Sequence, residues 1–365
     1  MKKLVLIFLV SAFLFPSEVL FPQQLVNAIT GYVKDKNSGE PLMGANVFLS
    51  NTLWGTTSDK EGYFAIKQLP PSNYEIVCSI IGYDPLKEFV VVKSNMRTNV
   101  NFFLEEKIYE FDDVTVKAEE PDVWLKQMEI FRKYFLGRKY FADNCVIENE
   151  YDISFKETED YFYAFCDKQI RIRNNALGYV LECVLFSYEF NKNTWELKYV
   201  MKPKFTEMIP VDSVEHDDWL WNREEAYYGS LRDFLAQLVN DELPYGDFAL
   251  IKVRKDRLTG SDRATSSFGK VAFYHSEESL MQFLDSTLSY DSLTTEYVFT
   301  TDQPVYVDYH GYKSSFLLPA GKVELNSYGY PQSVLSINVF GDWASYGAAE
   351  MLPELYELKF RNNME

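Results

Sequence analysis

The chain has 365 residues, 25% of them charged, with a formal net charge of −18. That length buries a large core and suits two domains. The acidic balance excludes nucleic acid, whose phosphates demand clustered Lys and Arg, and a basic patch docked on an anionic bilayer.

Residues 1–24 read as a signal peptide, with Lys2 and Lys3 ahead of an apolar run from Leu4 to Phe15 that Pro16 ends. The run is too short to span a bilayer and suits an export signal. Cleavage fits either Val26-Asn27-Ala28 or a site near Pro22 to Gln24. No Cys follows the run, so no lipid anchor is expected. No second long apolar run follows, so no transmembrane segment is expected in the mature chain. The expected location is the periplasm or the periphery of an outer membrane.

Residues 28–106 form short apolar runs separated by turn residues: Val47-Phe48-Leu49, Tyr63-Phe64-Ala65-Ile66, Tyr74 to Ile81, Phe89 to Val92 and Val100 to Leu104. Asp59-Lys60-Glu61-Gly62 and Pro70-Pro71-Ser72-Asn73 supply turns, because Gly accepts positive φ and Pro presets φ. The spacing predicts a seven-stranded antiparallel sandwich of transthyretin or immunoglobulin type. Asp59 and Glu61 offer too few oxygens for a calcium loop.

The stretch from Ile29-Thr30-Gly31-Tyr32-Val33 to Ile80-Ile81-Gly82-Tyr83 resembles the carboxypeptidase-regulatory-like domain. Gly39-Glu40-Pro41-Leu42-Met43-Gly44-Ala45-Asn46-Val47 and Thr57-Ser58-Asp59-Lys60-Glu61-Gly62-Tyr63-Phe64 carry the same resemblance. That family is a transthyretin-like sandwich, also found at the N-terminus of TonB-dependent receptors. The resemblance implies a folding or docking module, not a carboxypeptidase. Residues 107–120, with Ile108 to Val116, read as a linker or extra strand. In the receptors a similar segment can pair with TonB by strand addition. No train of amphipathic barrel strands follows, so the chain is not itself a receptor.

Residues 121–365 read as an α+β domain of antiparallel sheet with about three helices, making the chain mainly β. The first helix spans Pro121 to Leu136, with Trp124, Met128, Phe131 and Phe135 on one face. Strand-like runs at Cys145–Phe155, Tyr161–Arg173, Tyr179–Phe190 and Trp195–Met201 suggest a meander. A second helix covers Asp217 to Asn240. Either it breaks at Tyr228-Gly229-Ser230, with Ser230 capping a new start, or Gly229 permits close backbone contact. A third runs from Ser276 to Leu288. Strands resume at Val305–Tyr309, Ser315–Leu318, Lys322–Leu325 and Val334–Val339. The runs Arg173 to Tyr179, Ala226 to Leu235 and Gly341 to Pro353 resemble exported proteins that couple this sandwich to such a region, which implies architecture and location only.

Four cysteines remain after export: Cys78, Cys145, Cys166 and Cys183. They are too few for a disulfide framework. A hairpin centred between Asn174 and Asn175 would set Cys166 opposite Cys183 for a bridge; the alternative is four small buried side chains.

The sequence carries no reactive motif. His216, His275 and His310 are isolated, without zinc-ligand spacing. Nucleophile elbows and phosphate-cradling glycine loops are missing. No cofactor is expected. Glu215, Asp217 and Asp218 beside Trp219 and Trp221 form the best enzyme-like cluster, an acid pair next to a sugar-stacking platform; the plainer reading is an acidic helix start with Trp packed inward. The high aromatic content, 16%, fits strands or a stacking surface. The candidate binding residues are Asn174, Asn175, Trp219, Trp221, Tyr228, Ser230 and Arg232. The expected function is a non-catalytic envelope protein whose sandwich docks a partner and whose C-terminal domain binds a protein or glycan. The alternatives are a glycan- or peptide-active hydrolase within 121–365, and a TonB-linked accessory protein using 108–116.

Overall fold

Alternation along the first 80 residues after Asn27 folds into paired strands, each burying its apolar face. The structure is a computed structural model and describes residues 27–107, 121–138, 140–252, 272–273, 284–292, 296–301, 304–311 and 313–356. The expected signal peptide, the 108–116 segment, His275 and most of the predicted third helix lie outside the described residues; 284–287 of that helix are helical.

The sandwich strands are β1 (Ala28–Asp35), β2 (Asn46–Leu49), β3 (Gly55–Thr57), β4 (Tyr63–Lys67), β5 (Ser72–Ser79), β6 (Leu86–Val92), β7 (Arg97–Asn99) and β8 (Phe102–Leu104). One sheet runs β4-β1-β7 with β8 also on β1, and the other runs β3-β2-β5-β6. Phe64, Tyr74, Ile76, Val90 and Phe102 fill the core between them. Two points correct the expectation. Eight strands form, not seven, and β7 and β8 lie parallel to β1. After β6 the chain crosses to the other sheet and runs beside β1 in the same direction. The Asp59 carboxylate accepts the Glu61 and Tyr63 N–H groups at 3.0 and 2.8 Å, closing a turn.

Helix α1 (Pro121–Phe135) buries Met128, Phe131 and Phe135 completely. Phe131 stacks on Phe135 at 4.5 Å and tilts against Tyr188 at 5.0 Å. The sheet beneath comprises β9 (Cys145–Ile147), β10 (Ile153–Glu157), β11 (Tyr161–Cys166), β12 (Ile170–Asn174), β13 (Tyr179–Asn191) and β14 (Glu196–Glu207). Its order is β10-β11-β13-β12-β9, with β14 on the far edge of β13. This is not a meander. The long β13 takes β11 at one end and β12 at the other along a single edge, because the expected Tyr161–Arg173 strand breaks after Cys166. The hairpin turn takes residues 175–178, with Asn174 opposite Tyr179, and this later turn shifts the register. Cys166 lies opposite Ile153, and Cys183 opposite Ile170 and Pro203, so the two thiols do not meet and all four cysteines are reduced.

The second predicted helix is two. Helix α2 (Ser213–Tyr227) starts at Asp212, whose carboxylate accepts the Val214 and Glu215 N–H groups. Helix α3 (Leu231–Val239) starts at Ser230, whose Oγ accepts the Asp233 N–H. Gly229 between them adopts φ +73°, and a Cβ there would stand 2.5 Å from the Tyr309 ring. The break and the close approach are therefore both present.

The remaining strands are β15 (Phe248–Lys252), β16 (Ala272–Phe273), β17 (Leu288–Asp291), β18 (Glu296–Phe299), β19 (Val305–Tyr309), β20 (Lys313–Pro319), β21 (Val323–Leu325) and β22 (Ile337–Gly341). They form β16-β15-β19-β20-β22 and β17-β18-β21. Phe234, Leu235, Leu238 and Val239 of α3 pack on them with Trp343, making a core separate from that under α1. The segment after Gly347 then returns to the first core through Ala348, Ala349, Leu352 and Tyr356.

The sandwich is bonded to this body. Asn51 N–H donates to the Pro203 carbonyl and Phe205 N–H to the Thr52 carbonyl, both at 2.8 Å, while Phe48 and Val77 pack on Val184. No described helix is long and apolar enough to cross a membrane.

Candidate functional site

A pocket of about 280 Å³ opens where the sandwich, the β13–β14 hairpin, α2–α3 and the C-terminal segment converge. Strand β5 contributes Tyr74 and Glu75, β14 contributes Met201 and Lys202, and the helix junction contributes Tyr227, Ser230 and Arg232. The 326–332 turn contributes Asn326 and Tyr330, and the C-terminal segment Glu350, Leu352 and Glu354. Its size is just under the usual lower bound of small-molecule pockets, about 300 Å³.

Each wall has a local cause. The turn after β21 closes because the Asn326 side-chain Oδ1 accepts the Tyr328 and Tyr330 N–H groups. Gly329, at φ +78°, lets that turn lie against α3; a Cβ would come within 2.5 Å of the Ala236 nitrogen. Arg232 donates to the Leu352 and Glu354 carbonyls, and its guanidinium sits 4.8 Å from the Tyr330 ring centre and 5.6 Å from that of Tyr227. No described carboxylate lies within ion-pair distance of it.

Two charged groups from different parts meet at the junction. Lys202 Nζ stands 2.5 Å from Glu75 Oε2, with both side chains buried. Burial pushes the Lys202 pKa below the ordinary lysine value, and Glu75 partly opposes that shift. Glu354 is 5% exposed. Burial pushes its carboxyl up to about 7, against the opposing pull of the Asn326 amide and Arg232. Asn326 Nδ2 donates to Glu354 Oε1 at 2.5 Å, and Glu354 N–H donates to the Asn51 carbonyl.

The sequence-predicted residues do not form one site. Ser230 and Arg232 line the pocket. Asn174 is fully buried; its amide donates to the Ala349 carbonyl at 2.8 Å and its Oδ1 accepts the Ala176 and Leu177 N–H groups. Asn175 is exposed, and its carbonyl accepts the indole N–H of buried Trp219 at 2.9 Å. Trp221 points away and is 71% exposed. Tyr228 is also exposed, and its carbonyl accepts Lys313 Nζ at 2.6 Å. The acid-plus-Trp cluster resolves into a helix start: Glu215 accepts the Val211 N–H, and Trp219 packs on Gly178. Among the described residues, no group of three His, Cys, Asp or Glu is placed to hold a metal ion. Glu75, Lys202, Asn326 and Glu354 were not identified from sequence. The only trace is that Glu354 stands alone in an apolar run, Met351-Leu352-Pro353-Glu354-Leu355-Tyr356.

Residues 29–116 match the family model described as the CarboxypepD_reg-like domain. This agrees with the resemblance read from the sandwich motifs. No curated protein matches the chain. Among solved structures, the chain is similar to the group B streptococcus pilus 2b backbone protein, at 18% identity over 22% of this chain and 41% of that one, TM-score 0.20. A cohesin–X-dockerin complex from Acetivibrio cellulolyticus aligns at 19% identity over 21% and 52%, TM-score 0.17. A DUF3823 family protein from Bacteroides uniformis aligns at 9% identity over 86% and 96%, TM-score 0.17. The chain thus spans about half the length of the first two, and these scores fall well short of a shared whole-chain fold.

Proposed function

We propose that the chain is an exported, non-catalytic binding protein of the cell envelope, with its ligand site in the junction pocket. The supporting observation is the pocket itself: residues of three hydrophobic cores meet there, and its walls come from the sandwich, β14, the α2–α3 junction, the 326–334 turn and the C-terminal segment. Backbone hydrogen bonds hold the sandwich against the body, so the sandwich acts as a fixed wall of the site as well as a docking module. The ligand is a piece of an envelope protein or glycan, and tyrosine rings provide its contact area. In-cell cross-linking of the mature protein tests this, with a photoreactive residue at Val334 on the pocket rim. Reproducible capture of one envelope component, abolished by Tyr330→Ala, is the expected result. Capture unchanged by that substitution refutes the pocket as the site.

One observation favours the hydrolase alternative. Glu354 has a carboxyl poised near neutrality among further pocket carboxylates, which is the property of a general acid. Turnover of a glycan or peptide panel by the mature protein, lost in Glu354→Gln, would establish it. Absence of turnover removes it.

A further inference from the structure

We infer that the junction pocket takes a protonated amine, seated against the Glu354 carboxylate with its apolar body along the tyrosine walls. This rests on the pocket being the ligand site. The charge pattern comes first. Four carboxylates line the pocket, those of Glu75, Glu296, Glu350 and Glu354, against two bases, Lys202 and Arg232. Lys202 is spent on Glu75. Arg232 is turned to tyrosine faces and backbone carbonyls.

The second observation is independent of that count. The Glu354 side chain is some nineteen-twentieths buried, and only Oε1 is bonded, to Asn326. Oε2 accepts no hydrogen bond from any described residue. Oε2 belongs to a side chain that lines the pocket, so it is left open to a donor from a ligand. An ammonium group supplies three donors and a positive charge, and so satisfies this oxygen. Tyrosine faces add cation–π attraction. The pocket volume equals that of roughly nine liquid waters, the scale of an amino sugar or a lysine side chain.

The charged and titratable groups facing Glu354 are Glu75 and Tyr74 from β5, Arg232 from α3, and Tyr328 and Tyr330 from the turn. Glu75 is paired with Lys202 and Lys87. Burial brings the Glu354 carboxyl up to about 7, so amine binding at pH 7 displaces its proton.

Calorimetry on the mature protein tests the inference with four probes: glucosamine, glucose, Nα-acetyl-lysine amide and norleucine amide capped the same way. The expected result is at least tenfold tighter binding of one amine than of its neutral counterpart. Proton release should be visible as a dependence of the heat on buffer ionisation enthalpy. Glu354→Gln should abolish both the preference and the proton release. Which amine binds separates an amino sugar from a lysine-bearing protein. Equal binding of an amine and its neutral match overturns the inference while leaving the pocket as a ligand site. No binding of any probe overturns the inference and also weighs against the pocket.

Discussion

The Lys202–Glu75 pair ties the sandwich to the body, and Lys202→Met probes how much that tie contributes. The two atoms are 2.5 Å apart, and the side chains are 5% and 9% exposed. Removing one partner of a buried pair costs about 3–5 kcal/mol, because a charge is left in a poor solvent. Glu75 keeps a second cation, Lys87 Nζ at 3.0 Å, whose side chain is 36% exposed. That residual partner puts the expected loss at the low end, about 3 kcal/mol. The reverse substitution is milder. In Glu75→Gln the stranded Lys202 already has a depressed pKa, and it escapes by releasing its proton, more readily as pH rises. The double variant Lys202→Met with Glu75→Leu should recover most of the stability, since an apolar pair of similar volume often matches a buried ion pair. Urea unfolding followed by both far-ultraviolet circular dichroism and tryptophan fluorescence gives the three values. The reasoning is refuted if Lys202→Met changes stability by less than about 0.5 kcal/mol, the scale of an exposed pair, or if the double variant is no better than the single one.

Three further outcomes are expected. Asn174→Ala should cost about 3 kcal/mol in urea unfolding, because it strands buried backbone groups at Ala176, Leu177 and Ala349. The intact mass of the protein should be unchanged by reduction; buried Cys78 and Cys183 should alkylate only on unfolding, and half-buried Cys145 and Cys166 more slowly than a free thiol, because burial pushes Cys145 up to about 12 and Cys166 up to about 11. Glu354 binds its proton more tightly folded, near pH 7, than unfolded, near 4.5. Its contribution to stability is therefore fully present below pH 4.5 and is lost as pH rises to 7, by about 3 kcal/mol. Glu354→Gln should remove that segment of the wild-type pH profile, and an unaltered profile would refute the assignment.

The sequence made the local chemistry legible and left the long-range geometry hidden. Ser230 as a cap and Gly229 as a break follow from side-chain oxygen and backbone freedom within one turn of chain. The stripe from Met128 to Phe135 follows from helical periodicity, and its burial is complete. The Cys166–Cys183 register was misjudged because the turn takes residues 175–178, closed by Asn174 Oδ1 and by Gly178 at φ +68°, so that Cys183 meets Ile170. Lys202 illustrates the limit most clearly. It sits in Met201-Lys202-Pro203-Lys204-Phe205, where alternation marks a lysine as solvent-facing. It is buried because a separate module covers that face of β14, and nothing within the strand encodes the cover.

The same cover explains why the pocket was invisible. A docking module attached by a linker would leave Lys202 and Glu354 in water, without the burial that shifts both. Here Asn51 accepts the Glu354 N–H and donates to Pro203, so one residue of the sandwich fastens both β14 and the C-terminal segment. Docking therefore creates the low-dielectric site, and occupancy of the site must in turn favour docking, since the two share one free energy. A ligand that satisfies Glu354 should raise the unfolding temperature of the sandwich and the body together. Occupied pockets with two separate melting transitions would show that docking and binding are uncoupled.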